Sequence, residues 1–218
     1  MLDTSILQQV TDIFQNLEAN YTFRLTQSPQ REESSQLIAF LNDFATTSPR
    51  LNVEIHEADG NALFFTLLKN GEETGITFRG IPNGHEFTSL LLAVLNADGK
   101  GKNLPDEGIA NRICALKGDI RLQTYVSLTC TNCPDVVQTL NIFALLNPNI
   151  RHEMIDGALF QDEVDKLGVQ AVPAVYANGK MLHVGRGSLG ELLEKLETVY
   201  PSSGETGNNQ NAPIHRNF

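Results

Sequence analysis

Apolar residues recur at helical spacing near the start of the chain. Ile6, Val10, Ile13, Phe14 and Leu17 share one face, and Asp3 or Thr4 can cap the helix they predict. Residues 21–26 alternate and are rich in β-formers, which predicts a strand. A second helix fits 32–46, with Leu37, Ile38, Leu41 and Phe44 on one side and Pro49 as its stop. Strands follow at 52–56 and 63–68. The turn Asn70-Gly71 then leads into a strand at 75–78, because Asn-Gly tolerates the positive φ angles of a tight hairpin. A helix over 85–95 carries Phe87, Leu90, Leu91, Val94 and Leu95. The polar stretch 96–105, with Gly99 and Gly101, reads as an internal boundary.

The second half repeats this order. Helices fit 107–116, 136–146, 160–167 and 189–199, and strands fit 120–126, 150–155, 174–177 and 181–184. Asn70-Gly71 matches Asn178-Gly179 at an offset of 108 positions, and Arg79-Gly80 matches Arg186-Gly187 at 107. Two matches at nearly one offset, inside the same element order, indicate a duplicated unit. Strand–helix–strand implies a parallel crossover, and the hairpin adds antiparallel strands. The fold class is therefore α/β: two tandem thioredoxin-like folds, each a mixed central sheet flanked by helices. The expected division is 1–100 for a cysteine-free fold and 101–200 for a fold with a C-x-x-C pair. Residues 201–218 read as a linker or disordered tail, because Pro201-Ser-Ser-Gly-Glu-Thr-Gly-Asn-Asn-Gln-Asn has no apolar face to bury.

Composition narrows the function. The 26 acidic residues outnumber the 16 basic ones, for a formal net charge of −10, and no basic patch offsets them. Such a chain repels phosphate backbones, so nucleic acid is not an expected partner. No run of 18 apolar residues suggests a membrane span. The N-terminus has no basic region followed by an apolar run, so it does not read as a signal peptide. Two of the three cysteines stand three positions apart, which points to metal or redox chemistry rather than to structural cross-links.

Cys130-Thr131-Asn132-Cys133-Pro134 lies between a predicted strand and a predicted helix. A helix start offers unpaired N–H groups and the positive end of the macrodipole, which favour a thiolate at Cys130. The spacing lets Cys133 reach Cys130 to form a redox-active disulfide. Cys130, nearer the helix end, is the expected attacking thiol, and Cys133 the buried resolving thiol. A zinc site needs four ligands, and neither a second cysteine pair nor a histidine at ligand spacing is present. Two inert buried cysteines are the other alternative, and the strand-to-helix junction speaks against them. Pro173, in Val172-Pro173-Ala174, precedes a strand about 40 residues on; if cis, it would set backbone groups beside the dithiol for an incoming peptide. Gly185-Arg186-Gly187 reads as a turn, and Cys114 as a core thiol. In the first unit Ser28-Pro29-Gln30-Arg31 stands where the second has its cysteines, and Gly60-Asn61-Ala62 where the second has Pro173. Glu86 is open to two readings: a proton shuttle for a thiol, or an acid in the first turn of a helix.

These segments together carry a resemblance over residues 1–200: the Cys130 motif with its flanks (125–138), Asn147-Pro148, Ile155-Asp156-Gly157, Val172-Pro-Ala-Val175 and Gly84-His-Glu-Phe-Thr-Ser89. The chain resembles the N-terminal domain of the flavoprotein subunit of alkyl hydroperoxide reductase. The resemblance implies that Cys130 and Cys133 are the redox dithiol, that Pro173 holds the cis-proline position and that Glu86 is an acid–base candidate. It further implies a peroxiredoxin partner whose disulfide is reduced. Electrons would come from a flavin disulfide reductase module, in cis or in trans, that carries FAD and uses NAD(P)H. Both belong to that module, so neither cofactor is expected on this chain. A fragment of the full flavoprotein, in the cytoplasm, is the favoured expectation. A freestanding general disulfide reductase served in trans is the alternative. Thr131 departs from the family, where a larger polar residue often separates the cysteines.

Overall fold

The computed structural model describes residues 2–202. The elements run α1 (Thr4–Phe14), β1 (Tyr21–Gln27), α2 (Glu33–Ala45), β2 (Leu51–Glu57), β3 (Leu63–Lys69) and β4 (Glu72–Arg79). A 3₁₀ turn (Gly84–Glu86) leads into α3 (Phe87–Ala97). Then come α4 (Glu107–Ala115), β5 (Ile120–Val126), α5 (Cys133–Leu146), β6 (Ile150–Asp156), α6 (Gln161–Leu167), β7 (Ala174–Ala177), β8 (Lys180–Val184) and α7 (Leu189–Val199). Local chemistry sets the ends. Asp3 accepts from the Ser5 N–H and Asp106 from the Ile109 N–H, and Ser188 and Glu191 cap α7 reciprocally.

One pairing scheme occurs twice. β1 is parallel to β2 and antiparallel to β3, and β3 is antiparallel to β4. β5, β6, β7 and β8 repeat those relations in order. The two sets join along a parallel seam, Ile76↔His152 to Arg79↔Ile155, into one sheet ordered β2-β1-β3-β4-β6-β5-β7-β8. Nothing in the hydrophobic pattern announced this seam. In the first half Phe14, Phe23, Phe40, Phe44, Phe65, Phe78 and Phe87 pack ring on ring. Edge-on pairs of this kind add to their burial.

Three expectations change. β4 starts at Glu72, three residues earlier than predicted. Gly75 lies inside it at φ +86, where a Cβ would stand 2.9 Å from the Ile150 carbonyl oxygen. The glycine that looked like a strand start is the residue that lets β4 pass close to β6. α5 begins at Cys133 rather than near 136, since Pro134 fits a first turn whose N–H groups have no helical partner. Cys114 is not a core thiol: it is exposed, while its neighbour Ile113 points inward, and its S–H donates to the Leu146 carbonyl at 3.2 Å. Of the expected tail at 201–218, residues 203–218 lie outside the described residues.

Candidate active site

β5 ends at Val126, and residues 127–132 carry the chain over the sheet edge to α5. The Cys130 N–H donates to the Ser127 carbonyl at 3.0 Å, which folds this loop back. Cys130 and Cys133 are joined as a disulfide with Cα atoms 5.5 Å apart, inside the usual range. Cys133 opens α5 and is 0% exposed, while Cys130 remains partly exposed. The asymmetry follows from α5: its inner face carries Cys133, Val136, Val137 and Leu140 into the core, and Cys130 precedes the helix at the rim. The sulfur of Cys130 lies 3.9 Å from the Val172 carbonyl oxygen. The Val172–Pro173 bond is cis, and Pro173 is buried just before β7.

Glu86 reaches the same region from the other half. The His85 N–H donates to the Leu128 carbonyl at 3.0 Å, so the 3₁₀ turn sits on the loop that carries Cys130. Gly84 makes this contact possible: at φ +56, a Cβ there would stand 2.7 Å from the Leu128 carbonyl oxygen. Glu86 is 0% exposed, and neither carboxylate oxygen has a hydrogen-bond partner within reach among the described residues. Burial pushes its carboxyl up to about 7, with the nearby Ser89 hydroxyl offsetting part of the rise.

A second buried ionisable group escaped the sequence reading. His152 of β6 is fully buried, with Nδ1 2.7 Å from Asn141 Oδ1 and Nε2 2.7 Å from Thr124 Oγ1. The amide oxygen can only accept, so Nδ1 carries the proton and Nε2 accepts from the Thr124 hydroxyl. Burial lowers its pKa to about 3, which keeps it neutral. Its sequence trace is its register: His152 alternates with Ile150 and Met154 on one face of β6.

The first half holds a matching turn with other residues. The Arg31 N–H donates to the Ser28 carbonyl at 3.1 Å, as Cys130 does to Ser127. Ser34 in α2 is buried, as Cys133 is in α5. Arg31 and Ser34 thus occupy the two cysteine positions, and the expected Ser28-to-Arg31 match is three residues out of register. Gly80 donates to the Leu63 carbonyl as Gly185 does to that of Pro173, so Leu63, rather than residues 60–62, takes the proline's place. The same bonds pair Gly80 with Gly185, which makes the Arg79-Gly80 and Arg186-Gly187 match a coincidence two positions off. Arg31 is committed elsewhere, donating to Asn61 and to the Leu159 carbonyl at 2.9 Å, with its guanidinium over the Phe160 ring.

A thioredoxin domain model matches residues 120–198. The chain aligns with the N-terminal domain of the alkyl hydroperoxide reductase AhpF from Enterococcus faecalis at 31% identity and a TM-score of 0.82, covering 90% of this chain and 100% of that one. This chain belongs to the family of AhpF N-terminal domains. Among curated relatives, the AhpF-type alkyl hydroperoxide reductase of Pseudomonas aeruginosa is 37% identical over 198 residues, 91% of this chain and 38% of that protein. A Bacillus subtilis protein named NADH dehydrogenase is 39% identical over 196 residues, 90% of this chain and 38% of that protein. The chain therefore spans 38% of the length of these curated relatives. Within the family, a thioredoxin-like fold with a redox-active Cys130–Cys133 disulfide at the start of a helix is a thiol–disulfide oxidoreductase site.

Proposed function

We propose that this chain relays electrons from a flavin disulfide reductase, in cis or in trans, to the disulfide of a peroxiredoxin, and so supports hydroperoxide reduction. The observation that carries this reading is the pairing of a rim sulfur with a buried one at the head of α5, in a chain aligned with the whole of an AhpF N-terminal domain. In the reduced chain the Cys130 thiolate attacks one sulfur of the partner's disulfide, and the other leaves as a thiolate. Cys133 then loses its proton and attacks Cys130. The mixed disulfide breaks, the partner leaves as a dithiol, and the Cys130–Cys133 disulfide re-forms. The reductase restores the dithiol with two electrons.

Each part of the site has one role in this cycle. Cys130 is the exchanging sulfur and Cys133 resolves. The Val172 carbonyl and Pro173 stand beside Cys130, on the side from which the partner's chain approaches it. Glu86, buried and raised to about 7, takes up the proton that Cys133 must lose. The repeated strand pairing supports a division into thioredoxin-like folds at 1–100 and 101–200. Gly185-Arg186-Gly187-Ser188-Leu189-Gly190 has the spacing of a dinucleotide loop, but it follows β8, an edge strand antiparallel to β7, and not a parallel strand of a β-α-β unit. The chain's own residues therefore do not fit FAD or a nicotinamide, and both belong to the reductase. No described helix is long and apolar enough to cross a membrane, and the proposal includes a cytoplasmic location, where the reductase and the peroxiredoxin would meet the chain.

The test supplies a flavin disulfide reductase, NADH, a peroxiredoxin and a hydroperoxide, and follows nicotinamide oxidation. The relay predicts oxidation that depends on this chain and stops in Cys130→Ser. Equal rates with insulin disulfides in place of the peroxiredoxin would favour a general disulfide reductase instead.

A further inference from the structure

Asn132 separates the two cysteines and stands directly before α5. Asparagine is among the best helix caps, yet the Asn132 side chain caps nothing. Its Oδ1 instead accepts from Arg186 Nε at 2.8 Å. α5 therefore starts without a cap from the Asn132 side chain, two residues after Cys130.

The loop that carries Arg186 is shaped to hold it there. Gly185 has φ +83. A Cβ on Gly187 would stand 2.7 Å from His183 Nε2, so a side chain there would push the imidazole out of its place under the loop. His183 is buried beneath the loop. Its Nε2 donates to the carbonyls of Arg186 (2.7 Å) and Gly185 (3.1 Å), while Nδ1 accepts from Lys195 Nζ at 2.8 Å. Ser188 then starts α7 with its reciprocal cap. Arg186 itself is exposed, and its two terminal nitrogens have no hydrogen-bond or carboxylate partner among the described residues.

We propose that Arg186 is a positioning residue for the dithiol: it fastens the segment between the cysteines to the β8–α7 loop and holds a positive charge beside Cys130. The proposal rests on the redox reading above. When a dithiol such as dithiothreitol reduces the site, it closes to its own cyclic disulfide and gives up two electrons. The Cys130–Cys133 bond breaks, Cys133 takes one of the two protons released, the other passes to solvent, and Cys130 is left as a thiolate. A nearby guanidinium stabilises the thiolate but not the neutral thiol. It therefore lowers the pH at which Cys130 becomes nucleophilic. Asp135 of α5 and Glu191 of α7 line the same recess as Arg186, and His85 and Glu86 lie on the turn packed against Leu128. These groups are unchanged in every variant below, so differences between variants isolate Arg186.

The experiment measures iodoacetamide alkylation of Cys130 against pH in the reduced full chain. Peptide mapping separates Cys130 from the exposed Cys114. Arg186→Ala is expected to raise the midpoint by on the order of half to one pH unit. Arg186→Lys, which keeps the charge and a donor, returns most of that shift. Asn132→Ala moves the midpoint in the same direction by less, and the double variant moves no further than Arg186→Ala alone. An unchanged midpoint in Arg186→Ala, no recovery in Arg186→Lys, or additive shifts in the double variant would overturn the proposal. A wild-type chain in which Cys130 and Cys133 never cycle between disulfide and dithiol would instead overturn the redox reading beneath it.

Discussion

Glu86→Gln removes one charge from the junction between the 3₁₀ turn and the Cys130 loop while keeping the side chain's shape. Its effect on stability has a calculable pH dependence. In the folded chain the Glu86 carboxyl is raised from 4.5 to about 7 by burial, which outweighs the opposing effect of the nearby Ser89 hydroxyl. Between those values the folded state holds a proton that the unfolded state has released. The resulting stabilisation is complete below pH 4.5, declines as pH rises and is gone above pH 7. Two and a half pH units correspond to about 3 kcal/mol. Glutamine does not titrate. The stability of Glu86→Gln relative to wild type should therefore rise by about 3 kcal/mol from pH 4.5 to pH 8. Urea unfolding of the oxidised proteins, followed by far-UV circular dichroism because the chain has no tryptophan, measures this difference at each pH. Other titrating groups, His152 among them, are common to both proteins and cancel. A difference that stays flat across the window would refute the reasoning, since it would mean that Glu86 keeps its ordinary pKa in the folded chain.

Three further outcomes follow from the geometry. His152, lowered to about 3, should stay neutral in the folded chain, so its ring resonances should not titrate between pH 7 and pH 4.5. The folded state thereby loses stability as pH falls from 6.5 toward 3, by about 4–5 kcal/mol in total, and titration of the ring near 6.5 would contradict this. Gly84→Ala places a Cβ against the Leu128 carbonyl in a left-handed backbone, and should lower stability by about 1–3 kcal/mol in thermal or urea unfolding. In Arg31→Cys/Ser34→Cys the two new thiols should join under mild oxidation with loss of two hydrogens in the mass spectrum, whereas Ser28→Cys/Arg31→Cys should not join; the reverse outcome would contradict the register set by the Arg31–Ser28 bond.

What could be read from the sequence was local. Cys130 and Cys133 are three positions apart at a strand-to-helix junction, and both their pairing and their unequal burial follow from helix geometry at one turn of the chain. The element order was legible for the same reason, because each helix and strand writes its own period. The misreadings involve contacts between distant segments. Ser28-Pro29 looked like a natural counterpart of the cysteine loop, but the bond from Arg31 to Ser28 moves the match by three residues. Arg79 and Arg186 share a glycine neighbour and nothing else, since the glycines that correspond are Gly80 and Gly185. Cys114 lies one position round α4 from Ile113, and that step turns a core position into an exposed one. Glu86 is open to two readings in the sequence, a proton shuttle and a first-turn acid, and neither reading foretells that it is fully buried. Its burial depends on Gly84 letting the turn settle on Leu128, a contact that no local pattern encodes. The β4–β6 seam is invisible in sequence because a parallel edge between two repeats needs only ordinary strand residues.

The most direct test of the relay is capture of its covalent intermediate. Cys133→Ser, reduced and mixed with the oxidised peroxiredoxin, should accumulate a mixed disulfide through Cys130 that is visible on a non-reducing gel and released by dithiothreitol, while Cys130→Ser should form none. Adduct formation by Cys130→Ser with none from Cys133→Ser would contradict the assignment of the two sulfurs, and the absence of an adduct from either variant would contradict the relay itself.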